Sequence, residues 1–222
     1  MEKWKTVVFG IVIVSCYAMA GLWLYRVSGL YIHKAILWNL FLAWIPFGLS
    51  IWYVKLENIR HRNFSWLVLL LWLLVFPNAP YMMTDVIHIS PITFYEYISS
   101  GSIYVQDIYA WLQLLYLTMG ILCGFLLGLK SLDLILSVLR KRYGVKLTFF
   151  LLVCISLFSG YGVFLGRFLR LNSWDILNPF TLIGHVIEET NLFAIQFSLG
   201  FALFILLCYG VYHISHKSHD NR

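Results

Sequence analysis

Six long apolar runs govern what this chain can fold into. They cover Thr6–Tyr25, Ala35–Val54, Phe64–Phe76, Ile108–Leu129, Leu147–Gly166 and Leu192–Tyr212. A helix needs about 20 apolar residues to cross roughly 30 Å of hydrocarbon, and five of the runs have that length. The third is short, but it reaches spanning length when Pro77 is read as a kink and the helix continues to Tyr81 (64–81). The runs are continuous, without the apolar/polar alternation of a lipid-facing strand, so helices are expected rather than a barrel. Only 12% of residues are charged and 61% are hydrophobic, whereas soluble domains carry about 25% charged residues. The expected fold is an all-α integral membrane protein, a bundle of six transmembrane helices forming a single domain over residues 1–222.

Charge sets the orientation. The formal net charge of +6 invites a nucleic-acid partner, and its distribution argues against one. With six crossings, the termini and the 55–63 and 130–146 loops share a side. That side carries Lys3, Lys5, Lys55, Arg60, Arg62, Lys130, Arg140, Lys141, Arg142, Lys146, Lys217 and Arg222, while the other carries Arg26, Lys34, Arg167 and Arg170. An excess of Lys and Arg in short loops marks the cytoplasmic side, so both termini are expected there, with membrane lipid as the partner and no nucleic acid. The first run, with Lys3 and Lys5 ahead of it and Ala18-Met19-Ala20 within it, also resembles a signal peptide. It continues through Leu22-Trp23-Leu24-Tyr25 to spanning length, so a retained helix is expected. Cys16, Cys123, Cys154 and Cys208 all fall inside apolar runs, which excludes a loop disulfide framework and suggests small buried side chains.

Two polar, helix-breaking segments interrupt the apolar chain on the outer side. One is Phe76-Pro77-Asn78-Ala79-Pro80-Tyr81 with Thr84-Asp85-Val86-Ile87-His88; the other is Gly166-Arg167-Phe168-Leu169-Arg170-Leu171-Asn172-Ser173-Trp174-Asp175. Polar groups in or near hydrocarbon are costly and commonly functional. Within the spans, the strongly polar side chains Asn39, Gln113 and Gln196 lie near outer ends. These are expected to face one another or water. An outward-opening cavity lined by Asn39, Asn78, Asp85, His88, Gln113, Arg167, Arg170, Asn172 and Asp175 is the economical reading. Arg167 and Arg170, at spacing three on an extension of helix five, suit a forked clamp on a phosphate or carboxylate. Alternatively they pair with Asp85 and Asp175 and lock the outer loops.

Asp85 and His88, also at spacing three, are weak candidates for a general base. With His185 and Glu188 they form a weakly specific set of metal ligands. No cofactor is indicated. In the outer connection after helix five, Asn178-Pro179 reads as a helix start followed by an apolar stripe, so a short interfacial helix is expected there. Gly120, Gly124 and Gly128 lie at spacing four on one face, opposite Ser156/Gly160 or Gly162/Gly166. Such faces let helices approach closely, within the bundle or across a homo-oligomer.

Trp38-Asn39-Leu40-Phe41-Leu42-Ala43-Trp44-Ile45-Pro46 and the two polar segments together resemble an uncharacterised bacterial membrane-protein family, domain of unknown function 1361. The resemblance implies a bacterial inner or plasma membrane location. It supplies no activity. Three functions therefore stay open. The first is binding of an anionic small molecule or lipid headgroup; the second is a non-catalytic accessory subunit; the third is an outer-leaflet enzyme acting on a lipid or envelope precursor.

Overall fold

The computed structural model describes every residue except 1, 60–61, 100, 172–183, 185–187 and 221–222. Its elements in chain order are α1 Glu2–Ser28, α2 Ile32–Asn58, α3 Arg62–Val75, α4 Asn78–Tyr81, a 3-10 segment Met82–Ile89, β1 Tyr95–Ile98, β2 Gly101–Tyr104, α5 Ile108–Phe168 and α6 Leu192–Asp220. Four helical stretches are long and apolar enough to cross a membrane: Ile32–Asn58, Phe64–Ile89, Ile108–Phe168 and Leu192–His216. Val12–Ser28 is a shorter apolar helix.

α5 is two helices joined at Gly144, whose backbone (φ 79°, ψ 173°) leaves helical geometry. That conformation is open essentially to glycine alone. The contacts of α3–α4 show that the chain reverses there. Ala79 lies against Gly128 and Met82 against Gly124, while Pro77 lies against Gly162 and Tyr81 against Gly166. One partner number falls as the other rises, so the arms 108–143 and 145–168 run antiparallel. The 130–146 region, expected as a loop, is thus mostly helix, because its charged residues are as compatible with a solvated helix as with a loop.

α3 and α4 meet at the Phe76-Pro77 turn. Proline removes a backbone donor, but Tyr81 N still donates to Pro77 O at 3.0 Å and Ala79 N to Phe76 O at 3.1 Å. The helix bends there and continues. Pro46 interrupts α2 without ending it, and its carbonyl accepts from Ser131 Oγ at 2.9 Å. Ser131 Oγ in turn accepts from Trp72 Nε1 at 2.7 Å, so α2, α3 and α5 are tied by one buried relay. A buried polar group needs such partners.

Two apolar clusters fill the bundle. Tyr53, Trp72, Phe76, Leu132, Ile135 and Ile205 belong to the larger, between α2, α3, α5 and α6. Tyr17, Ile36, Ala43, Met82, Leu117 and Ile121 belong to the other, which includes α1. The outer surface is also apolar, with Val14, Met19, Trp38, Phe41, Leu70, Leu115 and Leu203 among many exposed large side chains. Continuous apolar exposure on helices suits hydrocarbon as the solvent.

The basic regions gather at one end. Glu57 accepts from Arg142 at 3.3 Å and also from Ser65. Asp133 accepts from Tyr209 Oη at 3.1 Å and contacts His213 Nδ1 at 3.3 Å, while His213 Nε2 lies 3.3 Å from Arg140. At the opposite end, β1 and β2 form an exposed antiparallel hairpin pairing Tyr95 with Tyr104 and Ile98 with Gly101.

Several expectations need correction. The Gly120/Gly124/Gly128 face does not meet the glycines of residues 156–166. Side chains added there would strike Tyr17, Met82 and Ala79 respectively, so the close approach is filled within the chain by α1 and α4 with its 3-10 extension. Gly160 faces the α6 backbone at Ser198, and Gly162 faces Pro77. Cys16, Cys123 and Cys154 are exposed rather than buried, because the outside of this bundle is as apolar as its inside. Gln196 points outward on α6, away from Asn39 and Gln113. The expected interfacial helix lies mostly outside the described residues.

Candidate functional site

The centre of the site is a buried carboxylate. The 3-10 segment after α4 carries Thr84, Asp85 and His88, and its tight turn stacks residues three apart on one side. Asp85 is 1% exposed. Its Oδ1 accepts from Arg167 Nη2 at 2.6 Å and its Oδ2 from Asn39 Nδ2 at 2.7 Å. Three remote segments, α2, the 3-10 segment and the end of α5, are thereby joined at one side chain.

Arg167 organises the rest. Its Nε donates to Thr84 Oγ1 at 2.8 Å, and Nη2 also reaches that oxygen. Thr84 Oγ1 donates in turn to Tyr81 O at 2.6 Å. The guanidinium carbon sits 4.3 Å from the Tyr81 ring centre, a favourable cation–π position. Arg167 Nη1 lies 3.5 Å from His88 Nε2, which is 4.0 Å from Asp85 Oδ1. Arginine only donates, so this contact requires an unprotonated Nε2 on His88. A buried ion pair with its remaining donors and acceptors satisfied offsets much of its desolvation cost.

Arg170 behaves differently. α5 ends at Phe168, Leu169 caps it, and Arg170 adopts φ 57°. The two arginines do not share a helical face, because the helix stops between them. Arg170 is exposed and, among the described residues, makes no hydrogen bond or ion pair. Arg167 is thus held by Asp85, while Arg170 has no such partner among the described residues.

Beside this network lies a cavity of about 700 Å³, within the range of small-molecule sites. Asn39, Asn78, His88, Arg167 and Arg170 line it, together with Tyr161. Trp38, Leu42, Leu74, Phe158 and Leu165 form its apolar walls. Five of the expected binding residues thus share one cavity, with Asp85 buried behind them. Gln113 does not join them: its Nε2 donates to Tyr109 O at 3.2 Å on its own helix, and its Oε1 is buried without a partner. Asn172, Asp175 and His185 lie outside the described residues.

Among the described residues, no three His, Cys, Asp or Glu side chains converge as metal ligands. Asp85 already uses both oxygens on Arg167 and Asn39. Thr84, Tyr81 and the apolar walls were not singled out from sequence. Thr84 sits next to Asp85 in the motif, and that adjacency was its only signal.

No curated protein and no solved structure matches the chain. A family model does match, over residues 38–208, a stretch that contains Asn39, Asp85, Arg167, Arg170 and the whole described cavity wall. The chain belongs to the family described as Protein of unknown function (DUF1361).

Proposed function

We propose that this membrane protein binds an anionic small molecule or lipid headgroup in the cavity beside Asp85, from the side opposite its basic loops. The observation that carries this reading is the guanidinium of Arg170, which has no hydrogen-bond or ion-pair partner among the described residues, at the wall of a 700 Å³ cavity. The neighbouring arginine is paired with Asp85 at 2.6 Å, so among the described wall residues Arg170 is the arginine that keeps its charge for a ligand. A guanidinium can grip an oxyanion through two parallel N–H donors, which fixes the geometry of the ligand as well as its charge.

The same reading takes the chain across the bacterial cell membrane six times, with α5 contributing two crossings and both termini cytoplasmic. Reversal at Gly144 and the gathering of Arg140, Arg142 and Glu57 at one end support that topology through the bias of positive charge toward the cytoplasm. A second reading, a non-catalytic accessory subunit, draws on the fully partnered Asp85–Arg167–Asn39 cluster, which is also what a purely structural clasp would show.

The test is thermal unfolding of the detergent-solubilised protein with increasing ligand. Anything that binds only the folded state raises the midpoint. Phosphate-bearing ligands should raise it and neutral analogues should not. No response to any anion would leave the accessory reading standing.

A further inference from the structure

Resting on the binding function above, we infer that the occupant is an amphiphile: one singly charged oxyanion head on an apolar chain, entering sideways from the bilayer between α2 and the second arm of α5. Three observations point this way.

The first is the polarity gradient along the cavity. Arg170, Arg167 and His88 lie at one end, and Leu42, Leu74 and Phe158 at the other. Phe158 precedes Arg167 by nine residues of helix, which is about 13 Å at 1.5 Å per residue. A compact hydrophilic anion would fill only the cationic end and leave the apolar end wet. A head-and-chain molecule fills both.

The second is where the mouth lies. Trp38 and Phe158 line the cavity and are 54% and 44% exposed. They belong to α2 and to the second arm of α5, and Leu74, Pro77 and Asn78 lie between them as the back wall. Phe41 and Leu157, beside them on the same two helices, are exposed as well, so among the described residues the gap between these helices gives onto apolar surface.

The third is charge. Arg167 and Asp85 pair at 2.6 Å, and His88 Nε2 lies between them, 3.5 Å from Arg167 Nη1 and 4.0 Å from Asp85 Oδ1. Arg170 is the remaining cation at the described wall. One positive charge matches one negative charge, as in a phosphodiester or a carboxylate, better than a doubly charged monoester.

The experiment is native mass spectrometry of the full chain in neutral detergent with three probes. These are phosphatidylglycerol, zwitterionic phosphatidylcholine, and glycerophosphoglycerol, which carries the same phosphodiester without chains. Phosphatidylglycerol should be retained about tenfold more strongly than either of the others. Arg170→Gln should lower its retention about tenfold and Arg170→Lys should largely restore it. Leu42→Trp, which fills the apolar end, should lower it comparably while the unfolding midpoint stays near wild type. If Leu42→Trp unfolds the protein, Leu74→Phe enters the same space and should do the same.

Glycerophosphoglycerol binding as tightly as the lipid would overturn the amphiphile and leave anion binding intact. Equal retention of phosphatidylcholine, which carries the same phosphodiester beside a choline cation, would show that net negative charge does not select the occupant and would overturn the singly charged head. Unchanged lipid binding in the stable Leu42 or Leu74 variant would overturn the sideways seat. Failure of all three probes to bind would overturn both the amphiphile and the function it rests on.

Discussion

Asp85 holds the site together because it is the side chain with the most to lose. It is buried, its charge is paired with Arg167 at 2.6 Å with His88 4.0 Å away, and Asn39 hydrogen-bonds its other oxygen. Removing one partner of a buried pair typically costs about 3–5 kcal/mol, since the other charge stays buried and uncompensated. Arg167→Gln should therefore lower unfolding stability by an amount of that order, read from denaturation in mild detergent. Adding Asp85→Asn to Arg167→Gln should recover much of the loss, because the orphaned charge is gone. Additive losses in the double variant would contradict the pairing. Asn39→Leu should cost less, about 1–3 kcal/mol, since it leaves one carboxylate oxygen without a donor. Arg170→Gln should leave stability within about 0.5 kcal/mol, as expected for an exposed side chain without partners. The contrast between Arg167 and Arg170 was not legible from sequence. Their spacing of three fits a shared helical face, and only the end of α5 at Phe168 separates them.

At the scale of elements, two kinds of glycine matter. Gly144 permits the reversal of α5, at φ 79° and ψ 173°. Gly144→Ala should cost about 1–3 kcal/mol through backbone strain alone, although nothing lies within 4 Å of the added carbon. Gly160 packs against the backbone of Ser198 and Ala202 on α6, so a methyl there must push two helices apart. Gly160→Ala should destabilise by about 1–3 kcal/mol. Gly48→Ala and Gly200→Ala, with open space around them, should be neutral or gain up to about 1 kcal/mol of helix propensity. If denaturation ranks the four variants otherwise, the packing described here is wrong. Sequence periodicity found the apolar helices because long apolar runs have few alternatives. It missed which faces meet: the glycine row at 120–128 looked complementary to the small residues at 156–166, yet Tyr17, Met82 and Ala79 fill it. The hairpin at 95–104 was missed for a related reason. Its residues Tyr95, Tyr97, Ile98, Ile103 and Tyr104 suit a strand and a membrane interface alike.

At the scale of the molecule, the polar side chains divide into two groups at opposite ends of an apolar bundle. One gathers Glu57, Asp133, Arg140, Arg142 and His213. The other gathers Asn39, Asp85, His88 and Arg167. That Asp85 and Arg167 would meet was legible, because so few polar groups interrupt the spans that they must find one another. The partners at the basic end were not, since Asp133 reads as one more loop charge until α6 is placed beside it. The central claim is that the cationic end of the cavity lies on the side of the membrane away from the basic end. The direct measurement is labelling of single cysteines with a membrane-impermeant maleimide in intact cells, after the four native cysteines are replaced. Arg170→Cys should be labelled from outside, and Lys141→Cys only after the membrane is permeabilised. Labelling of both from the same side, or of Lys141→Cys alone in intact cells, would contradict it.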